Sequence, residues 1–489
     1  MNSAAFSLDE LASAVRGRIA ARSDRALIGV TTDSRAVRPG SVFVALRGEM
    51  HDGHDHVDAA MSAGAAAVVV SRPVAAIAGT SVVIVDDTLR ALGDLASAHR
   101  QRFDVPVIGI TGSAGKTTTK ELTSAALESL GLRVHRTAGN LNNLIGVPMT
   151  LLGIDASHQA VVVEMGMNAP GEIVRLAEIA RPTVGVVTSV AEVHTEGVGN
   201  LEGVAREKGA LLEGLAADAI AVFTVDDTIL GPHIARSAAG TKVSFGTVED
   251  ADVRLMEPGL EGERMRCTYV VRGLEEPVQV DLALLGEGPA LSGAAALAVV
   301  LALRGAASTP AAAKGLTHVA PSPGRALPLP GPEGSLLLDD TYNASPRSIE
   351  LALRTAAELA AKRGGRAIAV LGDMKELGPE SERLHEEVGA AAVAAGVEIL
   401  VCCGTDMRAA ARGALAATTA TGVSGVRIER LEDPLEAIAL VRDAVASGDV
   451  VLVKGSRAMR MERVIEGLRV RAEPSAASPD GGASEDGSA

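Results

Sequence analysis

The chain has no tryptophan, two tyrosines, five phenylalanines and three cysteines in 489 residues. With so few aromatics, its cores must be built from Ala, Val, Leu and Ile. Cys267, Cys402 and Cys403 form no C-x-x-C pair. Three thiols so placed argue against a disulfide framework and suit a reducing cytoplasm. Positive charge is also scarce, since 46 Lys and Arg stand against 61 Asp and Glu, for a net charge of −15. Phosphate backbones would be repelled, so no nucleic-acid partner is expected. The apolar run AAALAVVLAL at 294–303 is shorter than the roughly 18 residues that a membrane span requires. MNSAAFSLDELASAVRGR lacks a basic stretch followed by an apolar core, so no signal peptide is expected. The balance predicts a soluble cytoplasmic protein.

What is present is a recurrence of short β-branched runs separated by Ala- and Leu-rich segments. VPVIGI (105–110), AVVVEM (160–165), VGVVTSV (184–190), AIAVFTV (219–225), SLLLDD (335–340), AIAVLGD (367–373), EILVCCG (398–404) and DVVLVKG (449–455) all read as strands. Continuous apolar strands alternating with helices predict α/β domains with buried, mainly parallel sheets. The first hundred residues carry more turn signals, such as RPGS and RGEMHDGHD, and predict a smaller α/β domain. One boundary is expected at 103/104, ahead of the strand VPVIGI. A second is expected at 324/325, inside the proline-rich APSPGRALPLPGPEG (320–334). The last segment, 472–489, is poor in apolar residues and reads as a disordered tail.

VPVIGI runs directly into TGSAGKTTTKE, and then into a helical pattern ending at Gly131. Strand, glycine turn and helix is the setting of a phosphate-binding loop. The common pattern G-x-x-x-x-G-K-[ST] fails here, because Ile110 stands where its first glycine belongs and Gly112 lies three residues before Gly115. The physical requirements are still met. Backbone N–H groups of Gly112, Ser113, Ala114, Gly115, Lys116, Thr117 and Thr118 can face an anion. Lys116 can neutralise phosphoryl oxygens, and Thr117 can hold a magnesium ion.

Two more polar residues sit at strand ends: Glu164 closes AVVVEM and His194 follows VGVVTSV. Ligands of open α/β sheets bind outside the carboxyl ends of strands, so both are candidates for magnesium beside the phosphates. Taken singly, each reads first as a solvated strand-end residue; their shared placement with the glycine loop reverses that reading. The triplet His51, His54 and His56 in HDGHDH suggests a metal, but it lies in a turn-rich loop with no cysteine or further histidine near in sequence, and a substrate-facing loop is expected.

These residues resemble the Mur ligase family, the ATP-dependent amide-bond formers of peptidoglycan precursor synthesis. The family's loop reads T-G-x-x-G-K-[TS], which accounts for Ile110. The resemblance extends over TTDSRAVRPGSVFVALRGEMHDGHDH (31–56), GNLNNLIGVPMTLL (139–152), VVVEMGMNAPGEI (161–173), DDTYNASPRSIELAL (339–353), LGDMKELGPESERLHEEVG (371–389) and KGSRAMRMERV (454–464). The DDTYNASP and LGDMKELG blocks are similar to the branch that joins D-alanyl-D-alanine to a UDP-N-acetylmuramoyl-tripeptide. Three domains are implied: a UDP-substrate-binding domain (1–103), a central P-loop ATPase-like parallel-sheet domain (104–324) and a Rossmann-like C-terminal domain (325–471). Ser34 and Arg35 match uridine-diphosphate positions, and Asn140, Asn142 and Asn143 match a loop facing the sugar-peptide. Thr117, Glu164 and His194 match positions for one or two Mg²⁺ ions. Lys208 matches a lysine that related ligases carry as a carbamate, although an exposed helical lysine paired with a neighbouring Glu is the other reading. Arg325, Asp340 and Asn343 match positions closing over ATP. A monomer is expected.

One segment departs from the pattern. Where the family has G-x-H-N-x-x-N, this chain reads GEGPALS (286–292), with Gly288 and Pro289 replacing the His-Asn pair and Ser292 the second Asn. Those family side chains lie at or near the adenine, so base recognition is expected to differ.

Overall fold

A computed structural model describes residues 4–48, 50–192 and 195–470. The strands expected from the sequence form at or within their expected bounds, extended by one residue at Thr111, and their apolar side chains are buried apart from the half-buried Ile220. Three main sheets follow one another along the chain. The first has five strands, in the order Arg18–Ala21, Ser81–Ile84, Ala67–Val70, Val42–Val44, Val30–Thr31, and is parallel apart from the first pairing.

The central sheet has ten strands. Its parallel part places Val107–Thr111 between Ala160–Glu164 and Val184–Val187, with Val134–Arg136 beyond the first and Ile220–Thr224 beyond the second. The chain reverses its direction of strand addition around Val107–Thr111, which creates the crevice where α/β sheets bind ligands. The far side differs from the mainly parallel expectation. Val253–Leu255, Gly259–Glu261, Arg264–Val271 and Val278–Leu282 pair antiparallel. In RMRCTYVV buried and exposed residues alternate along the strand, the pattern of a sheet with one covered face.

The third sheet has six strands, in the order Leu327–Pro330, Leu336–Asp340, Val450–Lys454, Ala367–Gly372, Ile399–Cys403, Arg427–Leu431. Only the edge strand Leu327–Pro330 runs antiparallel, and its two prolines sit where an edge tolerates them.

Helix Glu287–Arg304 links the central and third sheets. Among the described residues it is the one helix long and apolar enough to cross a membrane, yet Ala290 and Ser292–Val300 are buried within the protein. One apolar cluster runs from Ile108 and Ile110 through this helix to Leu338, Ala369 and Leu452. Polar contacts reinforce the join: Leu260 N–H donates to Glu358 Oε1 (3.3 Å), Lys362 Nζ donates to the Leu260 carbonyl, and Arg383 pairs with Glu192 (3.1 Å). As a result, the carboxyl ends of the central and third sheets face each other.

Candidate functional site

The turn after Val107–Thr111 is shaped by two glycines. Gly112 has φ +150°, and a Cβ there would lie 2.0 Å from Thr188 Oγ1. Gly115, at φ +80°, caps helix Lys116–Ser129. The end of the neighbouring strand pins the residues between them. Ser113 N–H donates to the Ser189 carbonyl (2.9 Å), Ala114 N–H donates to Ser189 Oγ (3.0 Å), and Thr188 Oγ1 donates to the Ala114 carbonyl (2.5 Å). The first N–H groups of the helix have no acceptor within it, which leaves a positive, donor-rich end at this turn.

Lys116 Nζ donates to the Gly112 carbonyl (2.7 Å), so the ammonium lies over the loop. Burial lowers its pKa; the Glu164 carboxylate opposes that shift and the Arg325 charge adds to it. Glu164 is 2% exposed. Its Oε2 accepts from Thr117 Oγ1 (2.9 Å) and its Oε1 from Asn142 Nδ2 (2.8 Å). Lys120 Nζ stands 3.9 Å from Glu164 Oε2 and 3.0 Å from Glu121 Oε1, and donates to the Thr137 carbonyl at 2.9 Å. A buried carboxylate tolerates its site only with such partners.

The third sheet supplies the opposite wall. Asp340 and Lys454 are register partners on adjacent parallel strands. Lys454 Nζ donates to Asp340 Oδ2 (2.6 Å) and to the Asn343 carbonyl (2.9 Å), while Asp340 Oδ1 accepts from Ala326 N–H (3.2 Å). The Arg325 guanidinium sits 4.1 Å from the Tyr342 ring centroid, a cation–π contact that holds it flat against the wall. Between the walls lies a cavity of about 590 Å³, lined by Ser113 to Thr118, Asn140, Asn142, Asn143 and Glu164 on one side and by Arg325, Asp340 and Asn343 on the other. Asn143 Oδ1 also accepts from the N–H of Gly146, the first residue of helix Gly146–Leu151, at 2.9 Å.

The other candidates lie elsewhere. Ser34 and Arg35 open a 3₁₀ turn in the first sheet's unit, and the Arg35 guanidinium pairs with Asp33 (2.8 Å) outside the cavity. His194 lies outside the described residues, as does the segment 471–489. Lys208 is on helix Leu201–Glu213 and 1% exposed, which overturns the exposed-lysine reading. Among the described residues its ammonium has no hydrogen bond or ion pair. Burial first, and then the Lys116 charge, push its pKa well below the ordinary lysine value. The three loop histidines do not converge on a metal. His54 is buried, with Nδ1 on Asp52 (2.6 Å) and Nε2 accepting from Ser71 N–H (2.9 Å), while His51 and His56 are exposed.

Lys120, Tyr342 and Lys454 escaped the sequence reading. Lys120 had a signal, since it lies one helical turn after Lys116. Tyr342 and Lys454 stood inside quoted blocks, DDTYNASP and KGSRAMRMERV, without a role.

Comparison with known proteins accords with this geometry. Family models described as "Mur ligase family, catalytic domain", "Mur ligase middle domain" and "Mur ligase, glutamate ligase domain" match residues 27–100, 110–300 and 324–457. The chain is 36% identical over 472 residues to the UDP-N-acetylmuramoyl-tripeptide–D-alanyl-D-alanine ligase of Escherichia coli (strain K12), covering 94% of this chain and 98% of that protein. A MurF structure from Acinetobacter baumannii superposes with a TM-score of 0.85 at 28% identity, covering 96% of this chain and 99% of that one. MurF from Thermotoga maritima in complex with ADP gives 0.78 at 30% identity, covering 90% and 96%. With phosphate loop, facing sheets and matches over most of its length in agreement, the chain belongs to the Mur ligase family.

Proposed function

We propose that this protein is an ATP-dependent ligase that joins D-alanyl-D-alanine to the terminal carboxylate of a UDP-N-acetylmuramoyl-tripeptide in cytoplasmic peptidoglycan precursor synthesis. The observation that carries this reading is the phosphate loop facing Arg325, Asp340 and Lys454 across one cavity. We assign the three sheets to three domains with joins near 103 and 324, and take the protein to act as a monomer. Ser34 and Arg35 bind the uridine diphosphate; Asn140, Asn142 and Asn143 hold the sugar-peptide.

A carboxylate is a poor acyl donor because oxide cannot leave. The substrate carboxylate attacks the γ-phosphorus of ATP, the bond to the β,γ-bridging oxygen breaks, and ADP departs. The product is an acyl phosphate, from which phosphate can leave. Lys116 and the N–H groups that open helix Lys116–Ser129 stabilise charge on the transferring phosphoryl group; those of Ser113 and Ala114, expected from the sequence to face the anion, donate to Ser189 instead. The amine of D-alanyl-D-alanine attacks the acyl carbon and loses a proton. With an ordinary α-amine pKa of about 8, roughly a tenth is already neutral at pH 7. Asp340 and Asn343 close over the nucleotide with Arg325, and closure keeps water from the acyl phosphate.

The Thr117 hydroxyl and Glu164 carboxylate, 2.9 Å apart, are the hard oxygen donors that magnesium prefers. With His194 and a carbamate on Lys208 they would hold one or two Mg²⁺ ions, which supply positive charge between the two anions. A lysine kept short of protons by burial and by Lys116 suits carbon dioxide addition to its neutral amine.

ADP release that requires both the UDP-tripeptide and D-alanyl-D-alanine, with the amide product identified by mass, tests the reading. Release with neither acceptor nor donor, or with a different amino acid alone, would refute it.

A further inference from the structure

The cavity beside the phosphate loop is also lined by Asn142, Glu164 and Asn168 and by residues of Leu285–Ser292 and helix Pro346–Arg363. With phosphoryl transfer assigned above to Lys116 and Glu164, the second set is the arm left for the nucleobase. Ser292 ties that arm to the loop, since its Oγ is 3.2 Å from where a Cβ on Gly115 would stand.

Gly286, Gly288 and Pro289 line this arm beside Leu351, Ala352 and Thr355, and the two segments abut: a Cβ on Gly286 would lie 2.6 Å from Thr355 Oγ1. Proline offers no N–H. The two hydroxyls spend their protons on their own helices: Ser292 Oγ donates to the Gly288 carbonyl (3.1 Å) and Thr355 Oγ1 to the Leu351 carbonyl (2.9 Å). A Cβ on Gly288 would meet only Leu351 Cδ1, at 3.7 Å. That is ordinary van der Waals contact, so a side chain at 288 is tolerated where it would lie beside the base. Adenine presents an amino donor where guanine presents a carbonyl acceptor. Separating them calls for a donor and acceptor in fixed relation, as on an amide side chain. None of these wall residues carries one.

We infer that this site binds purine nucleotides by the shape and apolar faces of the base, and that GTP replaces ATP as the phosphoryl donor. This rests on the ligase reading above. Sites lacking dedicated hydrogen bonds discriminate weakly between polar isosteres.

The test is kcat/KM for each nucleotide with the full chain at saturating UDP-tripeptide and D-alanyl-D-alanine. GTP is expected within about tenfold of ATP, and a larger preference for ATP overturns the inference. Gly288→Asn, whose Cβ would meet Leu351 only at contact distance, is expected to raise the ATP-to-GTP ratio several-fold; an unchanged ratio would show that other groups read the base and would overturn the inference. If neither nucleotide turns over, the ligase reading fails instead, and displacement of a fluorescent ATP analogue reads the slot directly. Comparable displacement by ATP and GTP supports the inference, and displacement by ATP alone overturns it.

Discussion

The two arms of the cavity are built on opposite plans. At the phosphate end the named polar groups are held by other protein groups: Lys116 by Gly112, Thr117 and Asn142 by Glu164, and the loop backbone by Thr188 and Ser189. At the base end, glycine and proline backbone face leucine and alanine, and the hydroxyls turn inward. Fixed dipoles lower a barrier only where charge moves during reaction, and no charge moves at the base. On the proposed function, hydrogen-bonding order is concentrated where charge moves, while the other arm only grips.

Substitutions at the two ends should accordingly differ in kind as well as in size. Lys116→Ala should lower kcat about a thousandfold or more with the fold intact, because phosphoryl charge is left unbalanced only in the loaded state. Retention of more than a few per cent of turnover at unchanged thermal midpoint would remove the loop from the chemistry. Lys208→Ala should lose about a hundredfold or more, and added short-chain carboxylic acids should restore part of it by standing in for the carbamate. Full activity in bicarbonate-free buffer would end that assignment.

Lys454→Met should raise KM for ATP by about tenfold or more and also reduce stability, since Asp340 loses a partner inside the wall. Unchanged values in both assays would make the pair ornamental. Leu351→Ala, at the base end, should raise KM for ATP only several-fold and leave kcat alone, the signature of uniform binding. An equal fall in kcat would mean that the base arm shares in transition-state stabilisation.

Lys208 also marks a difference in stability. Lys120, equally buried, has carbonyl and carboxylate partners, whereas Lys208 has none among the described residues. In bicarbonate-free buffer Lys208→Met should raise stability near neutral pH by about 1–3 kcal/mol, the cost of a buried unsatisfied group. Because the folded-state pKa is depressed, the unfolded chain binds more protons between that value and the ordinary 10.5. Wild-type stability should therefore rise with pH through that window, and its deficit against the methionine variant should shrink. Thermal melts across alkaline pH, read pairwise, check the sign.

Much of this was legible in the residues. Apolar continuity placed SLLLDD and DVVLVKG as strands, and the strands that form end in the register pair Asp340 and Lys454. VGVVTSV was read three residues too long because Thr188 and Ser189 leave the strand to hold the loop, a tertiary demand that β-propensity does not record. The Asp340–Lys454 bond spans 114 residues, a separation that no local pattern reveals. Lys208 lies in REKGALL, where a charged neighbourhood suggests exposure; only the packing of its helix shows otherwise. The antiparallel end of the central sheet did have a local signal, the period-two alternation of RMRCTYVV.

The scarcity of aromatics has an optical consequence. With no tryptophan to mask them, the two tyrosines carry the near-ultraviolet emission of the whole chain. Tyr342 lies beneath the Arg325 guanidinium on the third-sheet wall of the cavity, and the buried Tyr269 hydroxyl donates to the Ala290 carbonyl in the first turn of helix Glu287–Arg304 (2.9 Å). One ring thus reports on the closing face and the other on the support of the base arm. Changes in tyrosine fluorescence on adding nucleotide, separated by Tyr342→Phe and Tyr269→Phe, would follow each face without an attached label.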